Sequence, residues 1–261
     1  MNQVWAARLL RVFLSLLPLL LSLPTFAQLD KIIYGDDNRQ TVADFGDAKW
    51  KELARSTAGM VDAKSISVIN HGLSAEIKST TLKVSMKLCD GERFADLPTA
   101  PSCSGFLVGE DLLVTAAHCV TGPESCKSNK WVFDYRADAI TQEGDKVLVN
   151  AANIYSCKEI ISRRFTRQTK NDYAMIRLDR KVKGRKPLAV RTSGKVEDSA
   201  TLIVIGHPSG LPLIVSDDGH LRDNRPYYYF LTNLDTFGGN SGSLLDDTFM
   251  TIQGQRRSAL A

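Results

Sequence analysis

The sequence predicts an all-β protein, and three observations carry that reading. Short runs rich in Val, Ile, Leu and aromatic residues recur from Lys64 onward: SISVI, TLKVSMKL, SGFLV, LLVTA, KWVFDYR, KVLVNAANIYSC, YAMIRLD, TLIVIG, YYYFLTNL and SGSLL. Turn residues separate them, a spacing that marks a sandwich or barrel. No long helical period lies between the runs, which argues against an alternation of helices and strands. The chain has 261 residues, 43% hydrophobic and 24% charged, enough for one large or two small cores.

Residues 1–27 read as a secretory signal peptide. Arg8 and Arg11 precede an apolar run from Val12 to Leu23, and Thr25-Phe26-Ala27 sets cleavage after Ala27. The run is short for a membrane span, and Pro18 and Pro24 interrupt it. The mature chain is therefore expected to be secreted or periplasmic, with no membrane attachment and with its cysteines in an oxidising compartment. Residues 28–63 are polar and weakly patterned, and read as an N-terminal arm or pro-segment. A net charge of +4 is too mild for a nucleic-acid partner, which would demand a dense basic face with a motif behind it. The basic stretches SRRFTRQTK (162–170) and DRKVKGRKP (179–187) read as solvated loops. The second, with Gly184 and Pro187, is also the expected linker between two β units.

Three segments carry chemistry. CSGFLVGEDLLVTAAHC places His118 just past an apolar strand. NDYAMIRLD places Asp172 at the mouth of another, ahead of the alternating Ala174, Ile176 and Leu178. DTFGGNSGS surrounds Ser241 with Gly238, Gly239 and Gly242. Each alone has an ordinary structural explanation: a histidine near a strand, a turn carboxylate, a glycine loop. Together they supply what a serine nucleophile needs. Its hydroxyl is inert at neutral pH without an imidazole to take the proton and a carboxylate to fix the ring's tautomer. The order His, Asp, Ser differs from the subtilisin and α/β-hydrolase orders, and position 243 is Ser where the hydrolase elbow needs Gly.

TAAHC, DYAMIRL and GGNSGS resemble the three signature blocks of trypsin-like, chymotrypsin-fold serine proteases, over about Leu88 to Leu245. GNSGS, VIGHPSGLP and CSGFLV resemble the bacterial secreted branch that includes the glutamyl endopeptidases. The resemblance implies two six-stranded antiparallel β-barrels with the active site in the cleft between them. Residues 64–180 would form the first barrel, carrying His118 and Asp172, and residues 181–261 the second, carrying Ser241. It also implies catalysis by His118, Asp172 and Ser241 through an acyl-enzyme, with the N–H groups of Gly239 and Ser241 as oxyanion donors. The expected partner is a peptide or protein substrate, the chain acting as a monomer with no cofactor and no metal.

Further implications concern cysteines, activation and specificity. The family places a disulfide at Cys103 and Cys119; Cys126 with Cys157 is the second expected pair, leaving Cys89 over. Asn240 stands where animal digestive proteases keep an aspartate for the new N-terminal amine, so IIYG (32–35) is not expected to activate by that ion pair. Asp235 falls where trypsins bind Lys or Arg, and Thr236 where glutamyl endopeptidases bind a carboxylate. The family also continues well past its serine. Here TFMTIQGQ reads as one further strand and the final barrel strand has no candidate, so the second barrel is expected to be incomplete and the chain truncated. A second reading follows: an inactive or weakly active protease-fold remnant, or a binding protein.

Overall fold

The computed structural model describes residues 33–191, 193–247, 251–252 and 259–260. The expected signal peptide and its cleavage site lie outside them. In chain order the strands begin with β1 (Gln40–Thr41), β2 (Thr57–Asp62), β3 (Ile66–Ile69), β4 (Ser74–Lys78), β5 (Thr80–Thr81) and β6 (Pro98–Thr99). Next come β7 (Cys103–Leu107), β8 (Leu112–Thr115), β9 (Asn129–Phe133), β10 (Thr141–Glu143), β11 (Lys146–Asn150), β12 (Ile154–Thr166) and β13 (Asn171–Leu178). The rest are β14 (Thr201–Gly206), β15 (Ile214–Asp223), β16 (Phe230–Thr232), β17 (Leu244–Asp247), β18 (Thr251–Ile252) and β19 (Ala259–Leu260).

Strands β12, β13, β8, β7, β2 and β9 close into a six-stranded antiparallel barrel. Alternation along β13 buries Ala174, Ile176 and Leu178, and the last two meet Leu107, Leu113, Trp131 and Phe133 in the barrel core. Gly105 lets this core close. A Cβ there would lie 2.5 Å from Leu113 Cδ2 and 2.8 Å from Trp131 Cζ3, so a larger residue would expel the indole. The barrel also contains β2, which lies N-terminal to residue 64, where the sequence reading begins it. TAGMVD is buried from Thr57 to Val61 and shows no alternation, so nothing in its pattern marks a strand.

The second unit is a sheet with strand path β18–β17–β14–β15–β16–β19, with β1 added on β15; among the described residues this path is open. It stands where the second barrel is expected. β18 falls within the predicted further strand and pairs with β17. β19 pairs in parallel with β16 and has no counterpart in the sequence reading. Most of residues 248–261, on which the expectation of an incomplete barrel rests, lie outside the described residues.

A cluster of Val42, Phe45, Trp50, Ala54, Phe106, Ile205, Val215 and Leu244 joins the first barrel to the second sheet. Val42 to Ala54, from the segment read as arm or pro-segment, thus packs into the core between the two. Asp47 begins the helix Ala48–Ala54 by accepting a hydrogen bond from the Lys49 N–H, and this helix delivers Trp50.

Both basic stretches are largely exposed, as the sequence suggests, but the first is partly strand and not loop. Ser162–Thr166 belongs to β12 and pairs with β13 in a register that sets Phe165 opposite Asp172. In the second stretch the Arg185 side chain is 6% exposed, pairs with Asp134 at 2.5 Å and lies over the Phe133 ring. No helix of the described residues is long and apolar enough to cross a membrane.

Cys103 is bonded to Cys119 and Cys126 to Cys157, while Cys89 is free and exposed. The Cys126–Cys157 bridge spans 31 residues, a loop whose closure contributes about 3–4 kcal/mol in chain entropy. The Cys126→Ser/Cys157→Ser protein is expected to lose about that much stability in urea titrations. A midpoint and slope equal to those of the parent would contradict it.

Candidate active site

His118 stands in a turn just past β8, where the Cys119 N–H donates to the Ala116 carbonyl at 3.2 Å. The Cys103–Cys119 bridge ties that turn back to the start of β7. Arg163, on β12, clamps it from the other side: its Nε donates to the carbonyls of Ala117 at 3.0 Å and Val120 at 2.8 Å. The pairing of Ala174 with Thr115 brings the start of β13 alongside. Asp172 then meets His118 at two points. Its Oδ2 lies 2.5 Å from His118 Nδ1, and its Oδ1 accepts from the His118 backbone N–H at 3.0 Å.

The two groups shift each other's titration. The hydrogen bond that the ring donates to Asp172 holds the imidazole above its usual range, against partial burial, and the carboxylate's charge adds to the effect. Burial pushes the Asp172 carboxyl up, but its bonds to His118 outweigh this and hold it below the usual carboxylate range. The ring's second nitrogen, Nε2, is left to act on whatever approaches.

Ser241 belongs to the second sheet's half of the site, three residues before β17. Its carbonyl accepts from the Ser104 N–H at 2.8 Å and lies 3.8 Å from Cys119 Sγ, one residue from His118. Two glycines permit this approach. Gly242 has φ +84°, and a Cβ there would lie 2.2 Å from the Ser104 carbonyl oxygen and 2.9 Å from the Ala116 nitrogen. Gly239 has φ +98°, and a Cβ there would lie 2.3 Å from the His207 carbonyl oxygen.

The Asn240 N–H donates to the Phe237 carbonyl at 3.1 Å, so Phe237–Asn240 is a β-turn with left-handed glycine at its third position, the pattern of a type II turn. The carbonyls around it are tied inward. Gly238 accepts from the Ser209 N–H at 2.5 Å, and Gly239 from Ser104 Oγ at 2.9 Å. The N–H groups of Gly239 and Ser241 have no hydrogen-bond partner among the described residues. Asn240 turns its Oδ1 to Ser243 Oγ at 3.1 Å.

Asp235 and Thr236 precede this turn. Asp235 is 3% exposed, and its Oδ1 accepts from the Tyr34 N–H at 2.7 Å. Thr236 is half-buried. The atoms of Cys103, His118 and Cys119 lie within 4.8 Å of one another. The two sulfurs are bonded to each other, however, and the metal-binding form of cysteine is the thiolate.

Three residues beyond those picked out from the sequence shape the site. Ser104 Oγ accepts from the His207 N–H at 2.9 Å while donating to Gly239. Arg163 sits in a stretch read as solvated. His207 is fully buried, with Nδ1 2.9 Å from the Leu211 carbonyl. Burial pushes its pKa from the ordinary 6.5 down to about 4. The folded protein therefore binds this proton more weakly than the unfolded chain, and stability falls as pH drops through 6.5 toward about 4. The loss is about 3 kcal/mol over that window. His207→Asn is expected to flatten this part of the stability–pH curve; an unchanged slope would assign it to other groups.

A family profile described as "Trypsin-like peptidase domain" matches residues 103–248. No curated protein matches. Among solved structures, a Glu endopeptidase in complex with MPD is similar at 18% identity and TM-score 0.49, covering 85% of each chain. A serine endoprotease from Yersinia pestis is similar at 11% identity and TM-score 0.46, covering 77% of this chain and 53% of that one. Both likenesses are distant. The family match spans more than half of the sequence and takes in His118, Asp172 and Ser241 with the glycine turn, and on that ground the chain belongs to the trypsin-like peptidases, hydrolases of peptide or protein substrates.

Proposed function

We propose that the chain is an exported serine endopeptidase acting as a monomer. Ser241 is the nucleophile, His118 the general base and then acid, and Asp172 the group that orients the ring and balances its charge. The observation that carries this is the two-point hold of Asp172 on His118. It fixes the Nδ1–H tautomer and leaves Nε2 as the proton acceptor. Ser241 Oγ attacks the scissile carbonyl carbon as its proton passes to Nε2. The carbonyl oxygen becomes an oxyanion, received by the Gly239 and Ser241 N–H groups. Collapse breaks the C–N bond, and the leaving amine takes the proton from His118. Water then repeats the sequence on the acyl-enzyme and frees the acid.

Export is supported by the signal-like leader and by the two disulfides. Labelling with a fluorophosphonate tests the chemistry. The adduct is expected on the peptide containing Ser241, with none in Ser241→Ala. Absence of label from the folded wild-type protein, or label on another residue, would overturn the assignment.

A further inference from the structure

We propose that Arg39 is a positioning residue for the oxyanion turn. The proposal rests on the reading of Gly239 and Ser241 given above. The carbonyls of Gly238, Gly239 and Ser241 are held by Ser209 and Ser104. Phe237, where the turn begins, is gripped instead by its ring. Arg39 Cζ lies 4.5 Å from the Phe237 centroid and 5.2 Å from that of Phe94, placing the guanidinium against both rings.

Arg39 is not a loose surface cation. Its side chain is 11% exposed, and Asp37 accepts from Nε at 2.8 Å and Nη2 at 2.7 Å. This fork fixes the plane of the guanidinium, which a lysine ammonium cannot match. Arg93 secures the same segment by donating to the carbonyls of Asp37 and Arg39, with its Nη1 3.0 Å from Asp37 Oδ1. Asn38 Nδ2 donates to the Asp217 carbonyl at 2.7 Å, and Gln40 and Thr41 then pair with β15. Five residues before Arg39, the Tyr34 N–H holds Asp235, two residues before Phe237. Residues 34–39 thus run along the entry to the serine turn, touching it at both ends. Asn240 is spent on Ser243, so this segment supports the turn through Phe237 and Asp235.

The test compares Arg39→Ala, Arg39→Lys and, as control, Arg222→Ala, which touches the segment only at Tyr34. Loss of a whole oxyanion donor costs about 100–1,000-fold in kcat, so a donor merely misaimed by Arg39→Ala is expected to cost about 10–100-fold. KM should stay within about two-fold, because the effect falls on the transition state. A peptide aldehyde, which forms a tetrahedral adduct, should weaken by the same factor as kcat. Arg39→Lys keeps the charge but not the fork, so it should recover only part of the loss, and Arg222→Ala should match the parent. An Arg39→Ala protein with parental kcat, or one changed only in melting temperature, overturns the proposal. If Arg39→Ala does not fold, Arg39→Lys is read for a smaller loss of the same kind, and parental kcat and aldehyde affinity there count against it. The amide shift of Gly239, measured in an inactive His118→Ala background, should move with Arg39→Lys and not with Arg222→Ala. That shift needs no turnover. A wild type that neither cleaves nor labels would therefore defeat the enzymatic reading while leaving this measurement to decide the role of Arg39.

Discussion

Ser241→Ala is expected to leave a folded protein whose kcat is lower by about a million-fold, with His118→Ala close behind and the double variant no worse than either. Nucleophile and base form one unit, so removing one leaves the other with nothing to do. Asp172→Asn separates orientation from shape. The amide keeps the volume but favours the wrong imidazole tautomer, and a loss of about 10,000-fold is expected. It also moves the pH profile. Asp172 holds the His118 pKa above 6.5, so wild-type kcat/KM should fall as pH drops through that raised value, where the ring is protonated and cannot take the serine's proton. With an amide in place of the carboxylate, the imidazolium loses its partner and the acid limb should shift to lower pH. Initial rates on a peptide amide across the pH range check all of this. Turnover surviving Ser241→Ala, or an acid limb unmoved by Asp172→Asn, would put the chemistry elsewhere.

Gly242→Ala is expected to be the most damaging single-methyl change near the site. Two penalties fall on one atom. A side chain at φ +84° is strained wherever it sits, and this Cβ would come 2.2 Å from a backbone oxygen and 2.9 Å from a backbone nitrogen of the first barrel. Neither can rotate away as a side chain would. The summed cost is about 3 kcal/mol or more. Relief by separation would draw the Ser241 carbonyl off the Ser104 N–H, so activity should fall further than stability alone explains. Gly238→Ala is the matched control, since a Cβ there meets nothing within 4 Å. Urea titration and fluorophosphonate labelling rates compare the two. Equal behaviour would mean that the seam yields more easily than its geometry implies.

What could be read from the sequence was local. TAAHC, DYAMIRL and GGNSGS each fit within a single turn or strand end, so each was visible by itself, and the three in that order stated their purpose. The alternation in β13 and the apolar run of β8 were legible for the same reason. Cys103–Cys119 was expected on family grounds and Cys126–Cys157 as a second pair, and both form. β2 was missed because a strand buried on both faces shows no alternation, and Gly59 reads as a breaker. In the fold that glycine admits Pro101, whose Cγ would lie 2.6 Å from a Cβ. The hold of Arg163 on the His118 turn was missed because its partners are main-chain carbonyls 46 and 43 residues away, which no side-chain pattern announces. Ser104 is similar: its hydroxyl gains its importance from Gly239, 135 residues later. Val42 to Ala54 read as part of an arm or pro-segment because its pattern is weak and its apolar partners lie far along the chain.

That distant partnership also sets the order in which the molecule is built. Phe45 and Trp50 leave the ribosome long before Val215 and Leu244, which finish their pocket. Tyr34 waits 201 residues for Asp235. Contacts of such range form late in folding, after the loop entropy between them has been overcome. Until nearly the whole chain has been synthesised, the early segments have nowhere to dock and the serine turn has no frame. The serine turn is therefore among the last parts of the molecule to gain its frame.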